Sequence, residues 1–175
     1  MVGTLQEGLF FYDKSNYQLL KKLKKGNNQL STMKSDRISC LFQDSKNRIW
    51  VGTYNGLHVF NKQDTTIHIA ENYFNIDGKF TGNIITSIEE DLKGNLWVGT
   101  PNGLNKLSQT GEDKFKNTYY TEKDGLANSF IKSIARDLRG NVWCSTNTGI
   151  SKFSAQEEKF INFDESDGVQ TRPYT

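Results

Sequence analysis

One phrase recurs along this chain. It reads WVGTYNGL from Trp50 to Leu57, WVGTPNGL from Trp97 to Leu104 and, more loosely, WCSTNTGI from Trp143 to Ile150. The tryptophans are separated by 47 and 46 positions. A period of about 45 residues is that of a four-stranded propeller blade, a unit that buries its apolar faces only by stacking on neighbours. This recurrence limits the fold more than any bulk property, because each copy brings the same turn chemistry at the same offsets.

The strands of one unit can be read from the flanks. Before each Trp stands an Asp, in Asp44-Ser-Lys-Asn-Arg-Ile-Trp50, Asp91-Leu-Lys-Gly-Asn-Leu-Trp97 and Asp137-Leu-Arg-Gly-Asn-Val-Trp143. Before each Asp lies an extended run: RISCLFQ, IITSIEE or FIKSIAR. After each Gly turn come LHVFN, LNKLS or ISKFS, then a last run, TTIHIA, KNTYYT or KFINF. The first turn places Asn47, Gly94 or Gly140 where a left-handed residue is needed, and the Asp three positions earlier accepts turn N–H groups. The second turn, Asn55-Gly56 or Asn102-Gly103, reads as a tight hairpin in which Asn serves the backbone; Gly8 and Gly149 fill the same Gly slot. Gly3, Gly52, Gly99 and Ser145 are small residues that permit close approach, and the Trp beside them is expected to wedge between blades. Ile38, Ile85 and Ile131 share one position of the first strand. Leu41, Ile88 and Ile134 share another of opposite parity, so that strand is read as apolar on both faces. No segment carries a helical period through these turns.

Bulk properties narrow the function classes. Hydrophobic residues make up 35% and Gly numbers 15 in 175 residues, which suits a turn-rich β protein. A net charge of +2 gives no argument for nucleic acid. No apolar run is long enough to span a membrane, and the N-terminus has no signal-peptide pattern. Cys40 and Cys144 read as small fillers of the repeat, forming neither a disulfide framework nor a metal site. His58 and His68 have no ligand partners at metal spacing, so no metal or cofactor is expected. The stretch LLKKLKK from Leu19 to Lys25 falls at an outermost strand, where lysines guard a sheet edge; a membrane-seeking segment is the competing reading.

The pattern D-x-x-G-N-x-W-x-G-T-x-N-G-L, preceded by a strand containing Ser-Ile, resembles the two-component regulator propeller repeat. That repeat builds the sensor region of hybrid sensor histidine kinases of Bacteroidetes. EKDGLANSFIKSI, from Glu122 to Ile134, and SDGVQ, from Ser166 to Gln170, resemble the family's inter-blade phrase. Asn47 in place of Gly, and Cys144-Ser145 in place of Val-Gly, depart from it. The resemblance implies an all-β propeller and a non-catalytic, ligand-sensing module in the periplasm. It further implies a membrane helix and a kinase elsewhere in the protein, and in many members a response to oligosaccharides. No kinase motif is visible in this chain.

The expected organisation is an incomplete arc of four-stranded antiparallel blades: a partial blade over 1–30, blades over 31–76, 77–124 and 125–165, and a tail over 166–175. Val2-Gly3-Thr4 aligns with Val51-Gly52-Thr53, so the first unit is expected to start in its second strand, with Met1 at the Trp position. Open blade faces are expected to drive self-association, closing a ring of about seven or eight blades; a closed ring of about four is the competing geometry.

Chemistry has few candidates. Recurrence beside a turn makes Asp44, Asp91 and Asp137 turn residues rather than acid–base catalysts. The segment faintly resembles the Asp-box of sialidases, but the Asp-to-Trp interval is a residue too long. Only Arg37, Arg48, Arg136, Arg139 and Arg172 are present, with no cluster. Ligand contact is expected from loops: Tyr54, Asn55, Asn102, Tyr119, Tyr120, Lys123 and Asn128, with Pro101, Asp124, Asn147 and Thr148 alongside. Three readings follow: a ligand-sensing module, an interaction scaffold without a small ligand, and a fragment of a propeller sialidase or lyase.

Overall fold

A computed structural model describes residues 1–26, 33–60, 69–73, 80–111 and 114–170. Four antiparallel sheets follow one another. Blade 1 has β1 (Val2–Gly3), β2 (Leu9–Tyr12) and β3 (Leu19–Leu23). Blade 2 has β4 (Ile38–Gln43), β5 (Ile49–Thr53), β6 (Gly56–Phe60) and β7 (Ile69–Tyr73). Blade 3 has β8 (Ser87–Glu90), β9 (Leu96–Thr100), β10 (Gly103–Gly111) and β11 (Lys114–Tyr120). Blade 4 has β12 (Ile131–Arg136), β13 (Val142–Thr146), β14 (Ile150–Ser154) and β15 (Lys159–Phe163). Within each sheet every strand pairs with the next in sequence, and no sheet closes on itself among the described residues. The result is three full blades and a partial one, whose first described strand matches the second strand of the others.

The core lies between blades. Leu9, Leu23, Met33, Ile38 and Val51 join blades 1 and 2. Trp50 and Leu57 of blade 2 meet Ile85, Ile88, Val98 and Leu107 of blade 3. Trp97 and Leu104 of blade 3 meet Ile131, Ile134, Cys144 and Phe153 of blade 4. Neighbouring residues of the second strand alternate: Trp97 faces the following blade and Val98 the preceding one. The tryptophan is thus the wedge that its spacing predicts.

The two-faced reading of the first strand is corrected. Between Ile38 and Cys40, and again between Ile131 and Ser133, the register shifts by a bulge. One residue goes unpaired there, so Ile131 and Ile134, opposite in parity, sit across from Thr146 and Cys144 on a single face. Both enter the same cluster. The bulge, not burial on two sides, produces the apolar spacing of three.

The small residue after the Trp is a seat for the next blade. A Cβ on Gly52 would lie 2.7 Å from Ile85 Cγ2, one on Gly99 2.6 Å from Ile131 Cγ2, and one on Gly3 2.5 Å from Ile38 Cγ2. The second turn is corrected as well. Asn55 and Asn102 are not left-handed; Gly56 and Gly103 are, at φ 110° and 150°. The glycine is demanded by contact: a Cβ on Gly103 would lie 2.7 Å from the Tyr120 carbonyl oxygen. The turn is instead tied by Thr100, whose hydroxyl accepts from Asn102 N–H (3.1 Å) and donates to Gly103 O (3.0 Å). The first turn is as expected, with Asn47, Gly94 and Gly140 at φ 61°, 77° and 84°.

The register sorts the loops. Ile131, at the start of β12, pairs with Thr146, at the end of β13. The links entering the first strands therefore share one end of the arc with the turns between second and third strands. The Asp-bearing turns stand at the other end. Leu19 and Leu20 on edge strand β3 are exposed beside Lys22, which pairs with Glu7 at 2.8 Å; Lys24 reaches the same carboxylate at 2.6 Å.

Candidate functional site

Each Asp does two jobs. Asp91 Oδ1 accepts the backbone N–H groups of Lys93 and Asn95 (2.9 Å each), and Oδ2 accepts the indole N–H of Trp97 (2.9 Å). Asp44 receives Trp50 at 2.8 Å and Asp137 receives Trp143 at 3.0 Å in the same way. A buried indole N–H needs a partner, and the turn supplies it. The turn role was legible in the sequence and the indole role was not; the constant Asp-to-Trp interval is the signal that carries it. Burial alone would raise the Asp91 carboxyl, but bonds from Asn95, Trp97 and the turn hold it below the usual range. Hydrogen bonds from Trp143 and Asn141 hold Asp137 well below it. These are ionised, fully engaged carboxylates.

A cation covers each Trp. Lys106 Nζ lies 5.2 Å from the Trp97 ring centroid, and Lys152 Nζ 5.1 Å from that of Trp143. In blade 2 the equivalent of Lys106 is Val59, and the cation comes from Arg48, which replaces Asn95 and Asn141 of the other blades. Arg48 Cζ is 5.4 Å from the Trp50 ring, and Arg48 Nε bonds Asp44 Oδ2 at 2.6 Å, both residues buried.

Buried polar residues of the third strand pin the links. Asn105 Oδ1 accepts from Thr81 N–H (3.1 Å), and Ser151 Oγ accepts from Ala127 N–H (2.9 Å). His58 holds the equivalent position and is fully buried; His68 lies outside the described residues. The link phrase itself is a short 3-10 turn, Glu122–Asp124, closed by reciprocal Thr121 and Asp124 bonds and ended by Gly125 at φ 103°. Glu165–Asp167 repeats it with Asp164 as the cap. Leu126, just after the first, is buried against Trp97.

The loop residues proposed for ligand contact share the link end, each in its own surroundings. Arg37 Cζ stands 3.9 Å over the half-buried Tyr54 ring. Asn55 Nδ2 reaches Lys34 O at 3.5 Å, and Asn102 is exposed beside Gly82. Tyr119 is 51% exposed. Tyr120 stacks on Trp97, with centroids 5.7 Å apart, and meets Phe153 and Phe160; burial and the charge of Glu158 raise its phenol. Lys123 is exposed on the 3-10 turn. Asn128 bonds Glu122 Oε1 at 3.1 Å and accepts from Phe130 N–H at 2.9 Å.

Two clefts open at the other end, beside the Asp-bearing turns. One, of about 400 Å³, lies between blades 2 and 3 and is lined by Lys46, Lys93, Gly94, Asn95, Gln109 and Gly111. The other, of about 150 Å³, lies between blades 3 and 4, with Trp97, Lys106, Arg139, Val142 and Phe153 among its walls. Neither takes a wall from the predicted loop set. Desolvation pushes the Cys40 thiol up to about 11 and that of Cys144 up to about 12, so both stay protonated fillers. Among the described residues, no group of three His, Cys, Asp or Glu is placed to hold a metal, and no helix is long and apolar enough to cross a membrane.

The two-component regulator propeller family matches residues 32–55 and 79–102, each an inner strand, its Asp turn and the Trp phrase. Residues 32–55 and 79–102 are two-component regulator propeller repeats. The extracellular domain of a hybrid two-component system of B. thetaiotaomicron superposes with a TM-score of 0.79 at 28% identity, over 93% of this chain and 21% of that one. A second such domain from the same organism gives 0.77 at 20% identity, over 99% of this chain and 24% of that one. Virginiamycin B lyase from Staphylococcus aureus gives 0.59 at 13% identity, over 86% and 46%, a likeness of fold alone. A comparison with curated protein sequences finds no match. The propeller repeats here span less than a quarter of the length of either sensor domain.

Proposed function

We propose that this chain is a stretch of the ligand-sensing propeller of a two-component signalling protein. It works in the periplasm, catalyses nothing itself, and is joined in the whole protein to a histidine kinase. The observation that carries this is the 28% identity, over 93% of the chain, to the extracellular domain of a hybrid two-component system. The ligand class is an oligosaccharide, met at the link end by Tyr54, Asn55, Asn102, Tyr119, Tyr120, Lys123 and Asn128. Exposed Tyr119 offers a ring face, and Asn102 an amide, to sugar carbons and hydroxyls. The pins from Asn105 to Thr81 and from Ser151 to Ala127 couple these links to the blade interior, so that loop occupancy bears on blade packing.

The test is a panel of oligosaccharides in a thermal-shift assay, since a ligand that binds only the folded state raises Tm. A hit followed by calorimetry with Tyr119→Ala should lose affinity; unchanged titration would remove Tyr119 from the site.

A scaffold role is favoured by a separate observation. On the outer face of blade 4, Ile161 is 43% exposed and Trp143 is only half-buried, whereas Trp50 and Trp97 are covered. In this reading a second copy of the chain covers that face. Light scattering across a concentration series decides it: a monomeric mass at the highest concentration rejects self-association.

A further inference from the structure

We infer that the cleft between blades 3 and 4 binds a compact organic anion, an apolar ring carrying one carboxylate. The inference is independent of the sensor reading and concerns the opposite end of the arc from the predicted loop contacts.

The sister interface shows what closes such a cleft. Between blades 2 and 3, Glu90 accepts from Ser45 N–H and Ser45 Oγ (2.8 Å each), and Lys46 Nζ donates to Gln109 Oε1. Two polar clamps thus bridge the rim. At the equivalent places between blades 3 and 4 stand Leu92 and Arg136 for the first clamp, and Lys93 and Ala155 for the second. Neither clamp can form. Ala155 offers Lys93 no side-chain acceptor, and Leu92 leans instead on Gly140, where a Cβ would lie 2.9 Å from its Cδ1.

The opening this leaves has a definite chemistry. Its floor is Trp97, Val142 and Phe153, and three cations, Lys93, Lys106 and Arg139, stand around it. Among the described residues, none of the three forms an ion pair. Lys106 is held between rings, 5.2 Å from Trp97 and 5.7 Å from Phe153, and lines the cleft without an ion-pair partner among the described residues. Two carboxylates also border the space. Asp91 has both oxygens occupied by the turn and the Trp97 indole, and Glu158 is exposed on the turn beyond β14. A carboxylate entering here gains charge-assisted bonds over an apolar floor. A polyhydroxylated body gains less, because its neutral oxygens make weaker bonds to these cations than a carboxylate does and its hydroxyls stand over an apolar floor. The volume of about 150 Å³ is below the range of drug-sized pockets and holds a single ring.

The probe is benzoate, titrated into the 15N-labelled chain, with the indole N–H signals assigned by Trp→Phe substitution. Saturable movement of the Trp97 signal in the millimolar range is expected, with the Trp50 signal still. Benzyl alcohol and glucuronate, which lack the charge and the apolar ring respectively, should each bind about tenfold more weakly. Ala155→Gln gives Lys93 the acceptor that Gln109 gives Lys46, and Lys106→Met removes the central cation; each should weaken benzoate about tenfold. The first lies at the rim and tests the site if the second does not fold. The inference is overturned by an unmoved Trp97 signal, by benzyl alcohol or glucuronate matching benzoate, or by wild-type affinity in a folded Ala155→Gln or Lys106→Met variant.

Discussion

Blades 2 and 3 meet across the same floor as blades 3 and 4, yet their rims are unlike. Both interfaces insert a Trp whose indole is held by the Asp six residues upstream, and both seat an Ile at the entry to the next blade on a Gly. The first rim is closed by Ser45–Glu90 and Lys46–Gln109; the second is open, with Leu92 and Ala155 in those places. The floor repeats because it carries the packing that holds blade on blade. The rim varies because exposed clamps contribute little, about 0.5–1.5 kcal/mol net for a typical hydrogen bond, and their loss leaves the stack intact. Function has room to differ only where stability does not decide.

The outer face of blade 4 extends the comparison, since it carries the wedge without a described neighbour. Trp97→Ala should cost about 3–5 kcal/mol in urea denaturation, the range for emptying a core site of that size, and Trp143→Ala roughly half of that or less. Equal losses would mean that the wedge acts within its own blade rather than between blades.

Blade 2 offers a second contrast, because its cation comes from Arg48 rather than from a third-strand lysine. Arg48→Asn strips a buried ion pair of one partner and should cost about 3–5 kcal/mol. Val59→Lys alone adds a second cation beside Arg48 and should also destabilise. Together they rebuild the pattern of blades 3 and 4, so the pair should couple favourably by about 0.5–3 kcal/mol in a double-mutant cycle. Simple additivity would show that the exchange of cations is incidental.

The seat glycines sharpen the same point on a smaller scale. Gly99→Ala drives a Cβ to 2.6 Å from Ile131 Cγ2 and 2.8 Å from Thr86 Oγ1, an overpacking worth about 1–3 kcal/mol. Ser145→Gly, on the uncovered face, should stay within about 0.5 kcal/mol. The Ser also limits what sits there: a blade packed on Ser145 needs a residue smaller than Ile, or a wider approach.

Acid acts on the wedges of blades 3 and 4. Asp91 and Asp137 have folded pKa values below their unfolded ones, so their contribution is complete above the unfolded value of about 3.9 and is lost as pH falls through the folded ones. The urea midpoint should therefore be flat near neutrality and fall below about pH 4. Asp91→Asn should flatten that fall; an acid limb of unchanged steepness would assign it to other carboxylates.

Much of this architecture was legible in the chain. The turn residues have a local cause, and the Trp spacing and the small residue at Gly52 and Gly99 recur because every blade packs on the next in the same way. What was misread has a different origin. The parity of Ile131 and Ile134 hid a bulge, because an extra residue in one strand is invisible without its partner. Asn55 and Asn102 were read as the residues the hairpin backbone requires, whereas the positive φ belongs to the following Gly and the tie to Thr100. The clefts were out of reach because they form between Leu92 and Gly140, or Lys46 and Gln109, residues far apart in sequence that only blade stacking brings together. Strand order alone placed the candidate loop residues together at the link end. Tyr120, however, has its ring face on Trp97, a contact that pairing across β10 and β11 creates.

The most direct test of the wedge is hydrogen exchange at the three indole N–H groups, in a sample shown by light scattering to be monomeric. All three donate to an Asp, so the local bond is the same and only the covering blade differs. Trp50 and Trp97 should exchange only through large-scale opening, and Trp143 much faster by local fraying. Equal protection at all three would contradict the inter-blade role.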